Sequence, residues 1–164
     1  MSASAAIDSA EFRRTLGHYP TGVAVVTAID AGEPVGMAVG TFTSISLDPP
    51  LVGFFPASTS RSWDRIRSAG AFTVNVLGAD QLDLCQAFAA SGADKFAGVS
   101  WTEGPTGAPV LAEAVAWVHC TLSSVHSIGD HDLAVGTVVQ HGLGSKDAGP
   151  LVFHRGGYGT CLAA

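Results

Sequence analysis

Apolar residues of this chain fall into short runs separated by Gly, Pro and Asp, a pattern typical of β-strands joined by turns. The β-branched run at residues 21–30 and the extended run at 35–47 flank the sequence Ala-Gly-Glu-Pro and predict a hairpin. A second hairpin is predicted across the Gly-Asp turn at Gly129, between a long strand within residues 110–128 and the run at 131–144. Further strands are predicted at residues 48–56, 71–78 and 149–161, the last with a glycine-rich tail.

Helices are predicted where capping residues open a run or where apolar residues repeat on one face. The first lies within residues 8–20 and takes Asp8 or Ser9 as its N-cap. The second lies within residues 58–70 and follows a Ser/Thr-rich start. The third lies within residues 79–92, and its apolar face consists of Leu82, Cys85, Phe88 and Ala89.

The pattern gives about six or seven strands, mostly in antiparallel hairpins, and two or three short helices. Residues 93–109 are expected to form a long irregular connection. Hairpin-rich chains of this size remove exposed strand edges by closing the sheet. The expected fold class is therefore mainly β, a closed antiparallel β-barrel with a few peripheral short α-helices. Residues 1–8 are expected to be a disordered lead, and residues 9–164 a single domain.

The amino-acid composition indicates which partners the protein can have and in which cell compartment it is expected. Apolar residues make up 47% of the 164 residues and charged residues only 13%, which is low for a fully solvated surface, so a homodimer is expected. The net charge of −6 and the absence of a Lys/Arg cluster argue against nucleic acid. Neither a membrane span nor a secretory signal is expected. The three widely spaced cysteines favour reduced thiols in the cytoplasm.

Hydroxyl groups beside small residues or cations mark two candidate sites. Between Met37 and Ser46, hydroxyls and backbone N–H groups could bond a flat heterocycle, although an ordinary strand with a polar exposed face has the same composition. At residues 58–62, Ser and Thr surround Arg61 at a predicted helix start and could bind a phosphate. A plain N-cap with an exposed arginine is the alternative. Lys95 is either a second cation for that phosphate or a solvated loop residue.

The remaining candidates are the Gly-Asp-His turn at 129–131 and the segment 153–159. Asp130 either orients the imidazole of His131 or only satisfies N–H groups of the turn. The other histidines lack the spacing of metal ligands, so no metal site is expected. The sequence also lacks the Walker A, GxSxG, HExxH and GxGxxG signatures. Neither a P-loop enzyme nor a Rossmann dehydrogenase is therefore supported.

Seven segments occur in a characteristic order between Phe12 and Tyr158. They are YPTGVAVVTA, GTFTSISLDPPLVGF, FTVNVL, DKFAG, GAPVL, GDHDLAVGTV and PLVFHRGGYG. In this order they resemble the flavin reductase family with the FMN-binding split-barrel fold, the small reductase components of two-component flavin monooxygenases. The resemblance implies a homodimer of Greek-key split barrels with flavin at the subunit interface. It also implies that reduced nicotinamide transfers a hydride to FMN or FAD, and that a partner monooxygenase receives the reduced flavin.

The resemblance further implies roles for individual residues. His131 is the implied catalytic residue, because it is placed near the nicotinamide, and Asp130 helps to fix its imidazole. The strand at residues 37–46 is expected against the flavin ring and ribityl chain, and residues 58–61 near the phosphate. The implied cofactor-binding residues are Met37, Ala38, Val39, Gly40, Thr41, Phe42, Thr43, Ser44, Ser46, Ser58, Thr59, Ser60, Arg61, Lys95, Phe96, His131, His154 and Tyr158.

Several alternatives stay open at this point. Many members have Thr-Ala-Asn or Thr-Ala-Ser after the methionine, where this chain has Ala38, Val39 and Gly40, so both FMN and FAD remain candidates. NADH and NADPH also both remain. The rival function is a non-catalytic split-barrel carrier of flavin or haem, or a redox sensor. An oxidase on the related pyridoxamine-phosphate oxidase barrel would need a basic pocket, which the scarcity of Lys and Arg disfavours.

Overall fold

The computed structural model describes residues 6–92, 94–162 and 164, and in this part of the chain three helices and twelve strands form. The helices are α1 (Ser9–Leu16), α2 (Arg61–Ala69) and α3 (Leu82–Ala89). The first six strands are β1 (Thr21–Gly22), β2 (Ala24–Asp30), β3 (Glu33–Val39), β4 (Thr43–Leu47), β5 (Pro50–Phe54) and β6 (Ala71–Val76). The others are β7 (Trp101–Glu103), β8 (Pro109–Leu111), β9 (Ala116–Ile128), β10 (His131–Leu143), β11 (Val152–His154) and β12 (Gly157–Gly159).

Seven strands form one antiparallel sheet in the order β3-β2-β6-β9-β10-β5-β4. Its two end strands, β3 and β4, are separated by only three residues of chain. A flat sheet of seven strands would be about 29 Å wide, whereas the four Cα steps from Val39 to Thr43 reach at most about 15 Å. The sheet therefore curls until its two ends approach each other. The mainly β fold with peripheral helices is confirmed, while the strand order within the described residues leaves β3 and β4 as ends.

Both faces of the central strands are buried, which explains their continuous apolar runs. Along β2, Val26 packs in a cluster with Phe54, Phe72 and Trp63, whereas the preceding Val25 packs on the opposite face with Phe88 and Cys85 of α3. The rings of Phe54 and Trp63 meet edge to face with centroids 5.6 Å apart. Helix α2 thus closes one face of the sheet and α3 the other.

A network of buried polar side chains ties the β7–β8 hairpin to the main sheet. Asn75 accepts a hydrogen bond from the Leu111 N–H at 2.8 Å and donates to the Thr27 hydroxyl at 3.1 Å. His119 is fully buried, and its two ring nitrogens share hydrogen bonds of 2.8 Å with Thr73 and Thr106. Burial lowers the pKa of His119. The Thr27 hydroxyl also donates to the Pro109 carbonyl, so polar bonds from β2, β6 and β9 fix the hairpin.

The helices and the two predicted hairpins are confirmed, and Asp8 is the N-cap of α1 because its side chain accepts from the Glu11 N–H at 2.7 Å. The remainder of the lead predicted at residues 1–8 lies largely outside the described residues. In the β2–β3 hairpin, Ala31 and Gly32 both have positive φ, of 51° and 82°. Two such residues form the turn whose twist matches paired strands.

Three predicted elements are wrong in detail. The strand predicted at residues 35–47 is two strands, because the chain leaves β3 after Val39 and the Thr41 hydroxyl accepts a hydrogen bond from the Phe55 N–H at 2.9 Å. The connection at 93–109 is not wholly irregular, because β7 and β8 pair within and beyond it. The C-terminal strand and tail are a β11–β12 hairpin that pairs with β1.

Candidate functional site

Strand β3 forms the wall of three adjoining clefts. The outer cleft, of about 550 Å³, lies at residues 33–36, and the central cleft, also of about 550 Å³, lies at Met37 and Ala38. The apolar cleft, of about 200 Å³, lies at residues 38–40. The outer and central clefts have Arg61, Ser62, Gly92 and Lys95 in common, and the central and apolar clefts have Ala38 and Ala89 in common. The three clefts therefore form one groove along a strand about 20 Å long.

The central cleft contains the start of α2. Ser60 is the N-cap, and its hydroxyl accepts a hydrogen bond from the Trp63 N–H at 3.2 Å. The N–H groups of Arg61 and Ser62 belong to the first turn, where no helical carbonyl is available to accept from them. Together with the Arg61 side chain, these donors make the middle of the groove suited to an anion.

Lys95 places a second cation in the central cleft. Its Nζ donates to the Phe88 carbonyl at 2.9 Å, to the Ser62 hydroxyl at 3.3 Å and to the Gly36 carbonyl at 3.4 Å. These bonds connect α3, α2 and β3, so the side chain is held in place rather than solvated. Desolvation lowers the pKa of Lys95. The sequence predicted the cation but could not show its three partners.

The apolar cleft has hydrophobic and aromatic walls. Tyr158 lies beside Phe153, with ring centroids 5.1 Å apart and planes inclined at 60°. Both line the cleft with Cys85 of α3 and the end of β3. The neighbouring Cys85 thiol, together with partial burial, raises the pKa of the Tyr158 hydroxyl. This end of the groove therefore offers a neutral and largely apolar surface.

A further cleft of about 430 Å³, the loop cleft, lies beyond the apolar cleft, where the chain passes from β3 to β4. Residues 40–43 line it opposite Tyr19 and Pro20. Gly40 is common to the apolar and loop clefts. A Cβ atom at this position would lie 3.0 Å from the Thr21 hydroxyl oxygen, so the close approach of the two segments favours glycine.

His131 lies at the tip of the β9–β10 hairpin and contacts Asp130. Its Nδ1 donates to the Asp130 carboxylate at 2.7 Å, because an ionised carboxylate can only accept. The hydrogen bond from His131 lowers the pKa of Asp130. The Asp130 carbonyl accepts from both the N–H and the hydroxyl of Ser58, each at 3.0 Å. The tip is thus bonded to the segment that leads into the central cleft.

Asp132 makes a second link between this hairpin and α2, and sequence reasoning missed it. Its buried carboxylate accepts from the Trp63 indole N–H at 2.8 Å and from the Ser127 hydroxyl at 3.0 Å. The bond from Trp63 lowers the pKa of Asp132 despite its burial. The only sequence signal is an acidic residue beside an apolar strand. The hairpin tip and the first turn of α2 are consequently held together.

The structure brings many of the predicted site residues into one groove and its neighbouring clefts. The central cleft contains Met37, Ala38, Thr59, Ser60, Arg61 and Lys95. The outer cleft contains Phe96, the apolar cleft contains Val39, Gly40 and Tyr158, and the loop cleft contains Thr41, Phe42 and Thr43. His154 lines a separate cleft beside Tyr158. Ser44, Ser46, Ser58 and His131 lie outside these clefts.

The described part of the chain has neither a membrane-spanning helix nor a cluster of metal-binding side chains. In residues 6–92, 94–162 and 164, no helix combines the length and the apolar character needed to cross a bilayer. Over the same residues, His, Cys, Asp and Glu do not form a group of three or more that could hold a metal ion.

Known proteins are similar to this chain in sequence and in fold. The chain is 49% identical to a flavin reductase of Pseudomonas putida over 96% of its length and 93% of the relative. It is 47% identical to HsaB, the reductase subunit of a flavin-dependent monooxygenase of Rhodococcus jostii, over 95% of the chain and 80% of the relative. The NADH:FAD oxidoreductase SgcE6 of Streptomyces globisporus, solved with NAD and FAD fragments, superposes with a TM-score of 0.89 at 33% identity, covering 98% of each chain.

The model of one protein family matches nearly the whole fold described above, from residue 16 to residue 161. The match includes β3, the start of α2, the β9–β10 hairpin and the C-terminal hairpin, which together build the groove and its surroundings. This chain belongs to the flavin reductase-like domain family.

Proposed function

We propose that this protein is an NADH-dependent flavin reductase that supplies reduced flavin to a partner monooxygenase. The order of chemistry along the groove is the observation that carries the proposal. An apolar cleft with aromatic walls is followed by a cleft containing Arg61 and Lys95. A flavin mononucleotide has the same order, with a flat apolar ring at one end and a phosphate at the other. The residues present therefore fit this group.

The chain would hold the flavin with residues from four elements. The end of β3 and Tyr158 would contact the ring, and Met37 and Ala38 the ribityl chain. Arg61, the first-turn N–H groups of α2 and Lys95 would hold the phosphate, since charge-assisted hydrogen bonds are the strong ones. The three bonds of Lys95 to protein atoms fix its ammonium group before the ligand arrives. Because an ammonium group has only three donors, Lys95 would exchange one of its two longer bonds, to Ser62 or to Gly36, for a bond to the phosphate.

A bound flavin supplies the hydride acceptor, its N5 atom, for the C4 hydride of NADH. The protein contributes orientation, because two stacked rings react fast only when they are held in contact. His131 would orient the nicotinamide: with Nδ1 bonded to Asp130, Nε2 is the ring nitrogen left to bond the carboxamide. Asp130 and Asp132 keep that imidazole at a fixed distance from α2.

His131→Ala is expected to raise the KM for NADH about tenfold, the value of one lost hydrogen bond, and to leave the flavin dissociation constant within about twofold. Initial rates at varied NADH and flavin fluorescence titrations measure the two quantities. His126→Ala is the matched control, because His126 is exposed on the same hairpin and its side chain contacts Ser124. Equal losses of NADH use and flavin binding in His131→Ala would contradict the assignment.

The function itself is tested by following the nicotinamide absorbance of the purified protein with NADH or NADPH and with FMN, FAD or riboflavin. Fast flavin-dependent consumption of NADH is expected. Flavin binding without any consumption of nicotinamide would overturn the proposal in favour of a carrier or sensor. The partner is inferred from the reductase subunit relative, whose monooxygenase uses flavin. The partner is tested by adding a flavin-dependent monooxygenase and measuring whether its substrate is oxidised when this protein, NADH and flavin are present.

The proposal also includes the assembly, the domain and the compartment. We take residues 9–164 as one domain whose curled sheet acts as a closed Greek-key split barrel, because three residues join its end strands. A homodimer is supported by exposed apolar side chains, among them Phe12, Leu16, Tyr19, Leu47 and Leu143. Sedimentation equilibrium that found only monomer would contradict it. A cytoplasmic location is supported by free thiols at all three cysteines.

A further inference from the structure

We propose that the outer cleft binds the adenosine diphosphate half of FAD, so that this protein binds FAD more tightly than FMN. The inference rests on the proposed function and adds to it the identity of the preferred flavin. FMN ends at its phosphate, which the central cleft accommodates. The groove continues past that point for four more residues of β3, at 33–36. A ligand that used the whole groove would need a second half beyond the first phosphate.

The junction between the two clefts is suited to a pyrophosphate. Arg61 and Lys95 line both clefts, so each lies where the first phosphate would meet the second. Arg65, one turn further along α2, lines only the outer cleft. Its Nε donates to the Asp30 carboxylate at 2.9 Å, which fixes the guanidinium and keeps its two terminal nitrogens as donors. Three cations thus surround the position of a doubly charged linker.

The far end of the outer cleft has different chemistry. Glu33, the first residue of β3, lies there, and Asp94, next to Lys95 in the chain, also lines the cleft. Carboxylates disfavour further phosphate groups but accept hydrogen bonds from ribose hydroxyls and the adenine amino group. Pro34 and Phe96 provide flat apolar surface for a purine. Phe96 is held edge to face against Phe88, with centroids 4.9 Å apart. The outer cleft therefore combines cations, carboxylates and apolar surface, the three kinds of contact that a pyrophosphate, a ribose and a base require.

The test measures dissociation constants of oxidised FMN and FAD by fluorescence titration without nicotinamide, in the full-length wild-type protein and in variants. The wild type is expected to bind FAD about tenfold more tightly than FMN, the value of one charge-assisted pair. Arg65→Gln is expected to remove most of this difference by weakening FAD binding while FMN binding is unchanged. Arg67→Gln is the matched control, because Arg67 lies on the same helix, is exposed and lines none of these clefts.

Equal affinities for the two flavins in the wild type, or equal weakening of both in Arg65→Gln, would overturn the inference. Glu33→Ala provides a second variant at an exposed position, and a selective loss of FAD affinity about threefold in size is expected from one hydrogen bond. The proposed function is tested separately by NADH consumption with FMN. Normal turnover with no preference for FAD would remove the inference alone, whereas absence of turnover with every flavin would remove the proposed function.

Discussion

Replacing Lys95 with methionine is expected to weaken FMN binding about tenfold to a hundredfold, because a charge-assisted hydrogen bond to phosphate is lost. Riboflavin has no phosphate, so its affinity is expected to change by less than about threefold. Methionine keeps the length of the side chain but donates to none of the three oxygens that Lys95 now contacts. Fluorescence titration with both ligands separates the loss of the phosphate contact from a general disturbance of the cleft.

The chain provides a matched control in Lys146→Met, at its only other lysine. Lys146 pairs with Asp80 and Glu113, away from the groove. Its substitution removes the same charge and is expected to leave both affinities unchanged. If Lys95→Met weakened riboflavin as much as FMN, Lys95 would act by holding α2, α3 and β3 together and not by binding phosphate.

His119→Leu is expected to reduce the free energy of unfolding by about 1–3 kcal/mol, the cost of one buried hydroxyl left without a partner. The substitution leaves the buried hydroxyl of Thr73 without the ring nitrogen that it now bonds, whereas the exposed hydroxyl of Thr106 can bond water instead. Urea denaturation followed by tryptophan fluorescence measures the loss. His126→Leu, at an exposed position of the same strand, is expected to change stability by less than about 0.5 kcal/mol. Similar losses in the two variants would show that the buried network contributes nothing specific.

The same histidine should make stability depend on pH. Burial lowers the pKa of His119 from its ordinary 6.5, so the unfolded chain binds the proton more readily than the folded one. Stability is therefore expected to fall as pH decreases below 6.5, until the lowered folded pKa is passed. In His119→Leu this part of the decline should disappear, and an unchanged slope would assign it to other groups.

The sequence predicts those helices and turns that are determined by interactions between residues close together in the chain. The sequence indicates Asp8 or Ser9 as the cap of α1, a Ser/Thr-rich cap for α2 and the Gly-Asp turn of the β9–β10 hairpin, because each depends on residues within a few positions. The structure selects Asp8 and Ser60 as the two caps. The strand at 35–47 was predicted as one unit for the same reason, since its residues all favour extended structure. The strand is divided where the Phe55 N–H donates a hydrogen bond to the Thr41 hydroxyl, a long-range contact that the local pattern cannot reveal.

The residues of the candidate site could likewise be predicted only where their role follows from the residue type and its neighbours in the chain. The hydroxyl-rich start of α2 and the loop lysine could be found, because both residue types point to phosphate wherever they occur. Asp132 could not, because its importance arises from Trp63, 69 positions away in the chain. Arg65 was equally invisible as a ligand residue, since only the structure shows that it lines a cleft continuous with the one at Arg61.

The alignment of three clefts along β3 has an evolutionary consequence. Because one strand contacts the ligand from ring to base, selection can change how much of the ligand is recognised through residues near Glu33, while the end near Gly40 keeps the reacting ring in place. Choice of flavin and hydride chemistry then become separable traits. A lineage could exchange one flavin for another through a few substitutions at one hairpin, without rebuilding the reaction centre.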